Sequence, residues 1–360
     1  MSSDRRAFLQ TAGLVTLGLG LRGASTLSAQ APAAMPTDRA KALMAKFGLK
    51  CPIFQAGMAI LAPPELAAAV SNAGGLGAIG LTGATPERGR ELVAQTKAAT
   101  KRPFAVNYIL VRDCSSFRAA VEAGAPIVQF SWGLPSREQL GALAGAGTKW
   151  GVQVASGEGA ARAVDLGVDY IICQGTEAGG HVQAIRSREE TLPEVLAAAK
   201  STPVLAAGGI ASGRAIRRAL LDGAAGVLMG TRFMATREAY AHDVYKAALT
   251  RAKAEDSVFT ICFQDGWTSA PHRVLRNRTL NRWEAAGCPP PGQRPGEGEV
   301  VATTPTGVKR LRYAGTSPRP GDTGEVAEMA MWAGVGVGSI RDVAPAAEIV
   351  ERLWAECLNA

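Results

Sequence analysis

The feature that most constrains the fold of this chain is a regular alternation of short apolar segments with longer, alanine-rich amphipathic segments. Short apolar or β-branched runs predict strands, and the amphipathic segments between them predict helices. Eight such units follow one another within about 180 residues, which favours a closed (β/α)8 TIM barrel over an open doubly wound sheet. The predicted strands are Ile53–Gln55, Gly77–Ile79, Phe104–Asn107, Ile127–Phe130, Lys149–Val154, Tyr170–Cys173, Val204–Ala206 and Gly226–Leu228.

The alternation stops near Arg232, and the remainder of the chain follows a different pattern. Helices are predicted over Ala241–Arg251 and near Leu275–Ala286 and Thr323–Ala333, and a last helix over Pro345–Leu358 should return to the barrel wall. We therefore expect an α/β protein with three parts after the N-terminal segment. They are a TIM barrel at 35–231, a smaller, mostly helical substrate or lid domain over the barrel mouth at 232–334, and a C-terminal helix at 335–360.

Residues 1–34 resemble an export signal. The paired Arg5 and Arg6 are followed by an apolar run from Ala12 to Leu21 and by a small-residue stretch that ends near Ala34. Paired arginines in this position are typical of signals read by the twin-arginine translocation machinery, and the segment is too short to span a bilayer once cleaved. We expect a periplasmic protein with no stable membrane insertion, which could cross the membrane already folded around a cofactor. An uncleaved N-terminal tail is the alternative.

Charge and cysteine spacing exclude several classes of function. The net charge is +8, from 39 Lys and Arg against 31 Asp and Glu, but no Lys/Arg-rich block exists, so a nucleic-acid partner is not expected. The six cysteines lie far apart and form no CxxC pair, which argues against zinc, iron–sulfur and thioredoxin-type sites. The sequence therefore predicts no metal site, and it favours buried thiols over disulfides.

The chain contains 42 glycines, and three glycine-rich segments could bind a nucleotide or phosphate. The segment Gly75–Gly80 matches the GxGxxG pattern, but it follows a predicted helix and enters a strand, so we interpret it as a helix cap and strand. Gly208 and Gly209 end the seventh predicted strand, and Gly230 and Thr231 end the eighth. Loops after these two strands form the usual phosphate site of TIM barrels, so the ligand could be FMN or a phosphorylated substrate.

A histidine follows the sixth predicted strand, on the glycine-rich segment Gln174–His181. Histidine is scarce in this chain, and the other two, His242 and His272, lie outside the barrel pattern and are interpreted as structural. An imidazole has an ordinary pKa of about 6.5, which suits it to acid–base work or to binding an anion. The glycines before His181 would allow a flat ligand to approach closely, so we assign His181 a functional role.

These segments together resemble the nitronate monooxygenase family, formerly called 2-nitropropane dioxygenases, whose members are FMN-dependent barrels. The similarity covers nearly the whole length after the N-terminal segment. The combination of Glu177–His181 with the glycine segments after the seventh and eighth strands is specific to this superfamily. The matching segments are Pro52–Met58, Ala73–Gly77, Phe104–Asn107, Gln174–His181, Ala207–Ile210 and Met229–Phe233.

The resemblance implies a role for each candidate site residue. His181 would be the catalytic histidine and would act on the nitro compound or its anion. The cofactor would be one FMN, whose ring would be lined by Gly57 and Met58 and approached by Gly179 and Gly180. Its polar edge and ribityl chain would receive hydrogen bonds from Asn107, Gln153 and Gln174. Its phosphate would be held by Gly208, Gly209, Gly230 and Thr231.

The resemblance also implies an activity, the oxidation of alkyl nitronates or nitroalkanes with O2 to carbonyl compounds and nitrite, in an enzyme that could be a homodimer. Two departures lie where substrate would bind: many relatives have glycine at the position of Gln183, and many have glutamine at that of Val335. One alternative is an NAD(P)H-dependent flavin reductase of the enoyl-acyl carrier protein reductase or quinone reductase type, which an export signal disfavours. A non-enzymatic flavin-binding protein is the second alternative.

Overall fold

The computed structural model of the protein describes residues 35–268 and 270–360, so the predicted export signal at 1–34 lies outside the described residues. The described residues belong to one compact unit, so residues 232–334 are part of the same unit as the barrel. No helix in the described part of the chain is long and apolar enough to cross a membrane.

Eight parallel strands form the predicted barrel. From the second strand to the eighth, each strand pairs with the next one along the chain, and the first strand pairs with the eighth, with Ile53 opposite Val227. A parallel bridge between Phe54 and Leu76, just before the second strand, completes the circuit. All eight predicted strands are confirmed, at Ile53–Gln55, Gly77–Gly80, Phe104–Ile109, Ile127–Ser131, Lys149–Val154, Tyr170–Gln174, Val204–Ala207 and Gly226–Met229.

Helices surround the barrel, and the first of them, Asp38–Phe47, packs against its amino-terminal end. Six of them begin at a serine or threonine whose side chain accepts a hydrogen bond from the backbone N–H of the third helical residue, which stabilises the exposed N-terminal turn. The sequence therefore specifies locally where most of these helices start. The helices are Asp38–Phe47, Pro64–Asn72, Pro86–Ala99, Phe117–Glu122, Arg137–Ala146, Gly157–Asp165, Arg188–Ala199, Gly213–Leu221 and, at the C-terminus, Ala346–Asn359.

Large side chains fill the amino-terminal half of the barrel interior. The rings of Phe47, Phe54 and Tyr170 meet edge to face, with Phe54 and Tyr170 centroids 5.4 Å apart. The Tyr170 hydroxyl donates to Gln129 Oε1 at 3.2 Å, so this buried polar group is satisfied. Because the interior is packed at this end, a ligand site is left at the carboxyl ends of the strands, as is usual for this fold.

The segment 232–334 is less helical than expected, which corrects the prediction of a mostly helical domain. It contains the helices Asp243–Arg251 and Arg278–Ala285, but also two small antiparallel sheets. In the first sheet, Ser257–Thr260 pairs with His272–Leu275, which also pairs with the barrel-loop strand Gly180–His181. The second sheet contains Val300–Thr303, Lys309–Leu311 and Thr323–Gly324.

The helix predicted over Thr323–Ala333 is wrong. This segment forms the short strand Thr323–Gly324, a 3-10 turn at Val326–Glu328 and an extended run beside the first small sheet. Its backbone partners are distant in sequence, since the N–H of Leu275 donates to the carbonyl of Met331 at 2.8 Å. These long-range hydrogen bonds outweigh a local helical preference, which is a weak signal by itself.

The C-terminal helix returns to the barrel wall as predicted. Ala346–Asn359 packs against Gly213–Leu221, and Ile349 and Leu353 are buried in the core cluster that the two helices share. Glu356 accepts a hydrogen bond from the N–H of Gly213 at 3.1 Å, so its carboxylate lies at the N-terminus of that helix.

The segment Gly75–Gly80 is a helix end and a strand, as interpreted from the sequence. The helix Pro64–Asn72 ends just before it, and Gly77–Gly80 is the second barrel strand. A Cβ added at Gly77 would overlap the backbone carbonyl group of Ala67. The glycine therefore allows the helix to pack directly on the strand, and it does not mark a dinucleotide site.

We predict that Gly77→Ala destabilises the protein by about 3 kcal/mol or more, because the clash is with backbone that cannot rotate away. The matched control is Gly141→Ala, in the helix Arg137–Ala146, where a Cβ would meet no atom within 4 Å. It should stabilise the protein by about 0.5–1 kcal/mol. Urea unfolding of both variants gives the two free energies, and equal values would contradict this account of Gly77.

Candidate active site

A cavity of about 420 Å³ opens at the carboxyl ends of the barrel strands. Its walls come from the loops after the strands and from two segments of the remaining chain, at 315–319 and 332–336. The volume lies in the range of small-molecule and cofactor sites. All twelve residues predicted for the site line this one cavity: Gly57, Met58, Asn107, Gln153, Gln174, Gly179, Gly180, His181, Gly208, Gly209, Gly230 and Thr231.

The wall after the first strand depends on close backbone packing. A Cβ at Gly57 would lie 2.5 Å from Cβ of Asn107, so only glycine allows this loop to approach the third strand. The amide of Asn107 donates to the carbonyl of Gln129 at 3.3 Å, and both residues line the cavity. Met58 is the residue after Gly57, and it directly precedes a 3-10 turn at Ala59–Leu61.

The loop after the seventh strand has a backbone conformation that favours glycine. Gly208 and Gly209 have φ values of +106° and +70°, which side chains rarely adopt. Arg188 donates to the carbonyl of Gly208, which anchors the turn from behind. Neither residue carries a side chain, so an anion could approach the backbone N–H groups of this turn closely.

The loop after the eighth strand provides a second donor group. Gly230 precedes the short helix Thr231–Met234, and a Cβ at Gly230 would make ordinary contacts, the nearest being Met58 Sδ at 3.7 Å. The hydroxyl oxygen of Thr231 accepts from the N–H of Gly334 at 3.0 Å. Its hydrogen is therefore free to donate into the cavity. The two glycine loops that the sequence predicts as a phosphate site lie in the same wall.

His181 lies in a dry, aromatic part of the wall. Its ring stacks on Trp267 with centroids 4.4 Å apart and lies 5.1 Å from Trp332. Its Nε2 atom is buried and has no hydrogen-bond partner among the described residues. Burial, together with His272 and the positive charge of Arg112, lowers the pKa of His181 to about 3. The imidazole is therefore neutral at neutral pH, and its Nε2 is left unsatisfied by the described residues.

The other two histidines are structural, as predicted. The N–H of Phe263 donates to Nε2 of His272 at 3.1 Å, and Nδ1 of His272 lies 3.0 Å from the carbonyl of Ala270. Both nitrogens are satisfied by the tautomer with hydrogen on Nδ1, and burial lowers the pKa of His272 to about 4. His242 accepts from the N–H of Val244 and caps a helix outside the cavity.

The two predicted glutamines have different surroundings. The amide of Gln174 is engaged with the His181 loop, since its Oε1 accepts from the N–H of Gln183 at 3.0 Å and its Nε2 donates to the carbonyl of His181 at 3.5 Å. One amide hydrogen of Gln174 remains for a ligand. Gln153 lines the cavity, and its backbone carbonyl accepts from the Gln183 side chain at 3.0 Å.

The sequence analysis missed several cavity residues. Trp132 and Trp332 line the cavity near His181, and Thr316, Ser317 and Arg319 form another part of the wall. The hydroxyls of Thr316 and Ser317 are buried without a hydrogen-bond partner in the described part of the chain. Trp132 directly follows the fourth barrel strand, whereas Trp332 and the segment 316–319 lie far from the barrel motifs in sequence. Only the scarcity of tryptophan, six in the chain, could have drawn attention to the two tryptophans.

The cysteines have no role in this cavity. All six lie in the described residues and are unpaired, and Cys51, Cys173, Cys262 and Cys357 are buried. Burial raises the pKa of Cys51 and Cys173 to about 12, so these thiols are protonated at neutral pH. Within 35–268 and 270–360, no group of three or more His, Cys, Asp or Glu is placed to hold a metal ion.

Comparison with known proteins agrees with this geometry. The family model described as nitronate monooxygenase matches residues 40–121 and 111–356, which together cover most of the chain. The chain belongs to the nitronate monooxygenase family. It is therefore an oxidoreductase, and the family resemblance read from the sequence is confirmed.

Three similar proteins match this chain over nearly their whole length. A nitronate monooxygenase of Pseudomonas aeruginosa is 33% identical, with 89% of this chain and 99% of the relative covered. The nitroalkane oxidase structure from Streptomyces ansochromogenes has a TM-score of 0.69 at 31% identity, covering 89% of this chain and 98% of its own. The FabK structure from Thermotoga maritima is comparably similar, with a TM-score of 0.70 at 29% identity, covering 88% and 95%.

Proposed function

We propose that this protein binds FMN noncovalently and oxidises alkyl nitronates with O2 to carbonyl compounds and nitrite. The observation that carries the proposal is the buried, unpartnered Nε2 of His181 in a cavity that also contains two glycine loops suited to a phosphate. The chain belongs to the nitronate monooxygenase family, which is flavin-dependent and is named for its nitronate substrates. The substrate in the cell would be a small nitronate.

The residues around the cavity fit FMN. The phosphate would lie against Gly208, Gly209 and Gly230 and accept from the Thr231 hydroxyl, because these groups leave room for an anion and supply donors. Gly57, Met58, Asn107, Gln153, Gln174, Gly179 and Gly180 would surround the rest of the cofactor. Bound FMN would supply the electron-transfer chemistry that no amino-acid side chain provides.

His181 is better suited to binding an anion than to removing a proton. A base with a pKa of about 3 is a weak acceptor for the proton of a neutral nitroalkane at neutral pH. A nitronate is already deprotonated, so it needs a hydrogen-bond donor and a positive potential. The neutral imidazole can donate from one nitrogen, and Arg112 contributes positive charge nearby. The site therefore favours preformed nitronates as substrates.

The tryptophans beside His181 would exclude water from the reacting part of the substrate. Trp132 and Trp332 line the cavity, and Trp267 covers the far face of the imidazole. Electrostatic interactions strengthen in such a low-dielectric site, so one hydrogen bond from His181 would hold the nitronate more firmly than it could in water.

The FMN proposal predicts that Gly230→Glu gives a folded protein without flavin. A Cβ fits at this position, so the backbone tolerates a side chain, but a carboxylate there would repel the phosphate. Flavin absorbance of the purified protein measures the result. Gly230→Gln, which adds similar bulk without charge, should retain more FMN. Wild-type protein with no flavin absorbance, and with none gained on adding FMN, would refute the proposal.

The nitronate proposal predicts that His181→Asn keeps FMN but loses activity. The phosphate loops are separate from His181, and loss of a hydrogen bond to a charged group should lower kcat/KM for a nitronate about 10- to 100-fold. Steady-state O2 consumption with ethyl nitronate gives this ratio. His242→Asn is the matched control, because asparagine can replace His242 as a helix cap and the residue lies outside the cavity.

Two results would count against this role of His181. Wild-type rates in His181→Asn would remove the residue from the mechanism. Equal wild-type rates with nitroethane and with ethyl nitronate at pH 7 would show that the enzyme removes the proton itself, which a neutral imidazole of such low basicity cannot do efficiently. Anaerobic mixing also separates the reductase alternative: a nitronate should bleach the flavin absorbance, and NADH should not.

We also propose that the protein is exported to the periplasm with its flavin bound. The support is the sequence of residues 1–34 alone, which lie outside the described residues. Replacing Arg5 and Arg6 with lysine should leave an uncleaved, flavin-loaded precursor in the cytoplasm, because lysine keeps the charge but lacks the guanidinium group. Cell fractionation measures the outcome, with Arg22→Lys as the control. Unchanged export would indicate a general secretory signal instead.

A further inference from the structure

Gln183 makes three hydrogen bonds at the carboxyl end of the barrel, although it does not line the cavity itself. Its Oε1 accepts from the N–H of Trp132 at 2.9 Å, and its Nε2 donates to the carbonyl of Gln153 at 3.0 Å. Its own N–H donates to Oε1 of Gln174 at 3.0 Å. The three partners lie at or near the carboxyl ends of the fourth, fifth and sixth strands, and all three line the cavity.

The bond to Trp132 supports an unusual backbone. Trp132 has a φ of +59°, a left-handed conformation that a bulky residue adopts only when the surroundings hold it there. In this conformation its ring packs against Trp267 with centroids 4.6 Å apart, and Trp267 in turn stacks on His181 at 4.4 Å. Gln183 therefore contacts Trp132, Trp132 contacts Trp267, and Trp267 contacts His181. This chain of contacts connects Gln183 to a residue that lies two positions before it in the sequence.

We propose that Gln183 is a positioning residue for the substrate side of the cavity. Its amide holds Trp132 in the left-handed conformation, Trp132 and Trp267 then hold the His181 ring, and the Gln174 contact fixes the backbone of the same loop. A glycine at position 183 has no side chain to make two of these bonds. The walls formed by Trp132 and Trp332 would then favour nitronates with longer alkyl chains, because each buried methylene adds contact with an aromatic face.

The test uses Gln183→Met, because methionine has a side chain of similar length but lacks both the amide oxygen and the amide nitrogen. Two tryptophan rings 4.6 Å apart at 55° should give an exciton couplet in the circular dichroism spectrum, and Trp132→Phe identifies it by removing it. In flavin-loaded Gln183→Met we expect a weaker couplet and unchanged FMN content. We also expect kcat/KM for butyl nitronate to fall about 10- to 100-fold, the factor expected from two lost hydrogen bonds, and to fall less for ethyl nitronate.

The control is Gln293→Met, the same change at an exposed position in a loop away from the cavity, which should leave both measurements unchanged. Three results would overturn the proposal: a wild-type couplet in Gln183→Met, a weakened couplet with unchanged kinetics, or loss of FMN together with activity. The kinetic arm rests on the proposed nitronate oxidation, whereas the couplet does not. If the wild-type protein turns over no nitronate, the proposed nitronate oxidation is refuted. A weakened couplet in Gln183→Met would still show in that case that Gln183 positions Trp132.

Discussion

The parallel pairing between the first and eighth strands is the contact on which the site depends. Ile53–Gln55 runs beside Gly226–Met229, and the N–H of Ala56 continues the ladder with a 3.0 Å hydrogen bond. Parallel strands end at the same edge, so the loop with Met58 and the loop with Gly230 meet although more than 170 residues separate them. Barrel closure thereby turns segments scattered along the chain into one wall.

The electrostatic character of the site follows from what surrounds each histidine. His272 has two backbone partners and is inert, whereas His181 has a buried nitrogen with no partner in the described residues. A buried polar atom without a partner is costly, and such atoms are expected where a ligand completes them. Burial also keeps the His181 ring neutral, which is consistent with the proposed use of preformed nitronates, since such substrates need no base to remove a proton.

Much of the fold could be predicted because its signals are local. Each barrel strand is a short apolar run, and most surrounding helices start at a serine or threonine cap, so neighbouring residues determine both. The structure of the segment 232–334, in contrast, depends on contacts between residues that are distant in sequence. Its extended segments are stabilised by long-range hydrogen bonds, such as the one between Leu275 and Met331. The local sequence around Thr323–Ala333 does not reveal these partners. The helix predicted there failed because the deciding hydrogen bonds are long-range.

The sequence by itself determined the barrel, the two glycine loops and His181, because strand order and glycine positions in a (β/α)8 fold dictate what reaches its carboxyl edge. Tertiary structure alone decided the rest of the wall. The neutrality of His181 depends on burial by Trp267 and on the approach of His272 and Arg112, and the placement of Trp132 depends on the amide of Gln183. Desolvation and packing are properties of the assembled neighbourhood, so no local pattern of residues could specify them.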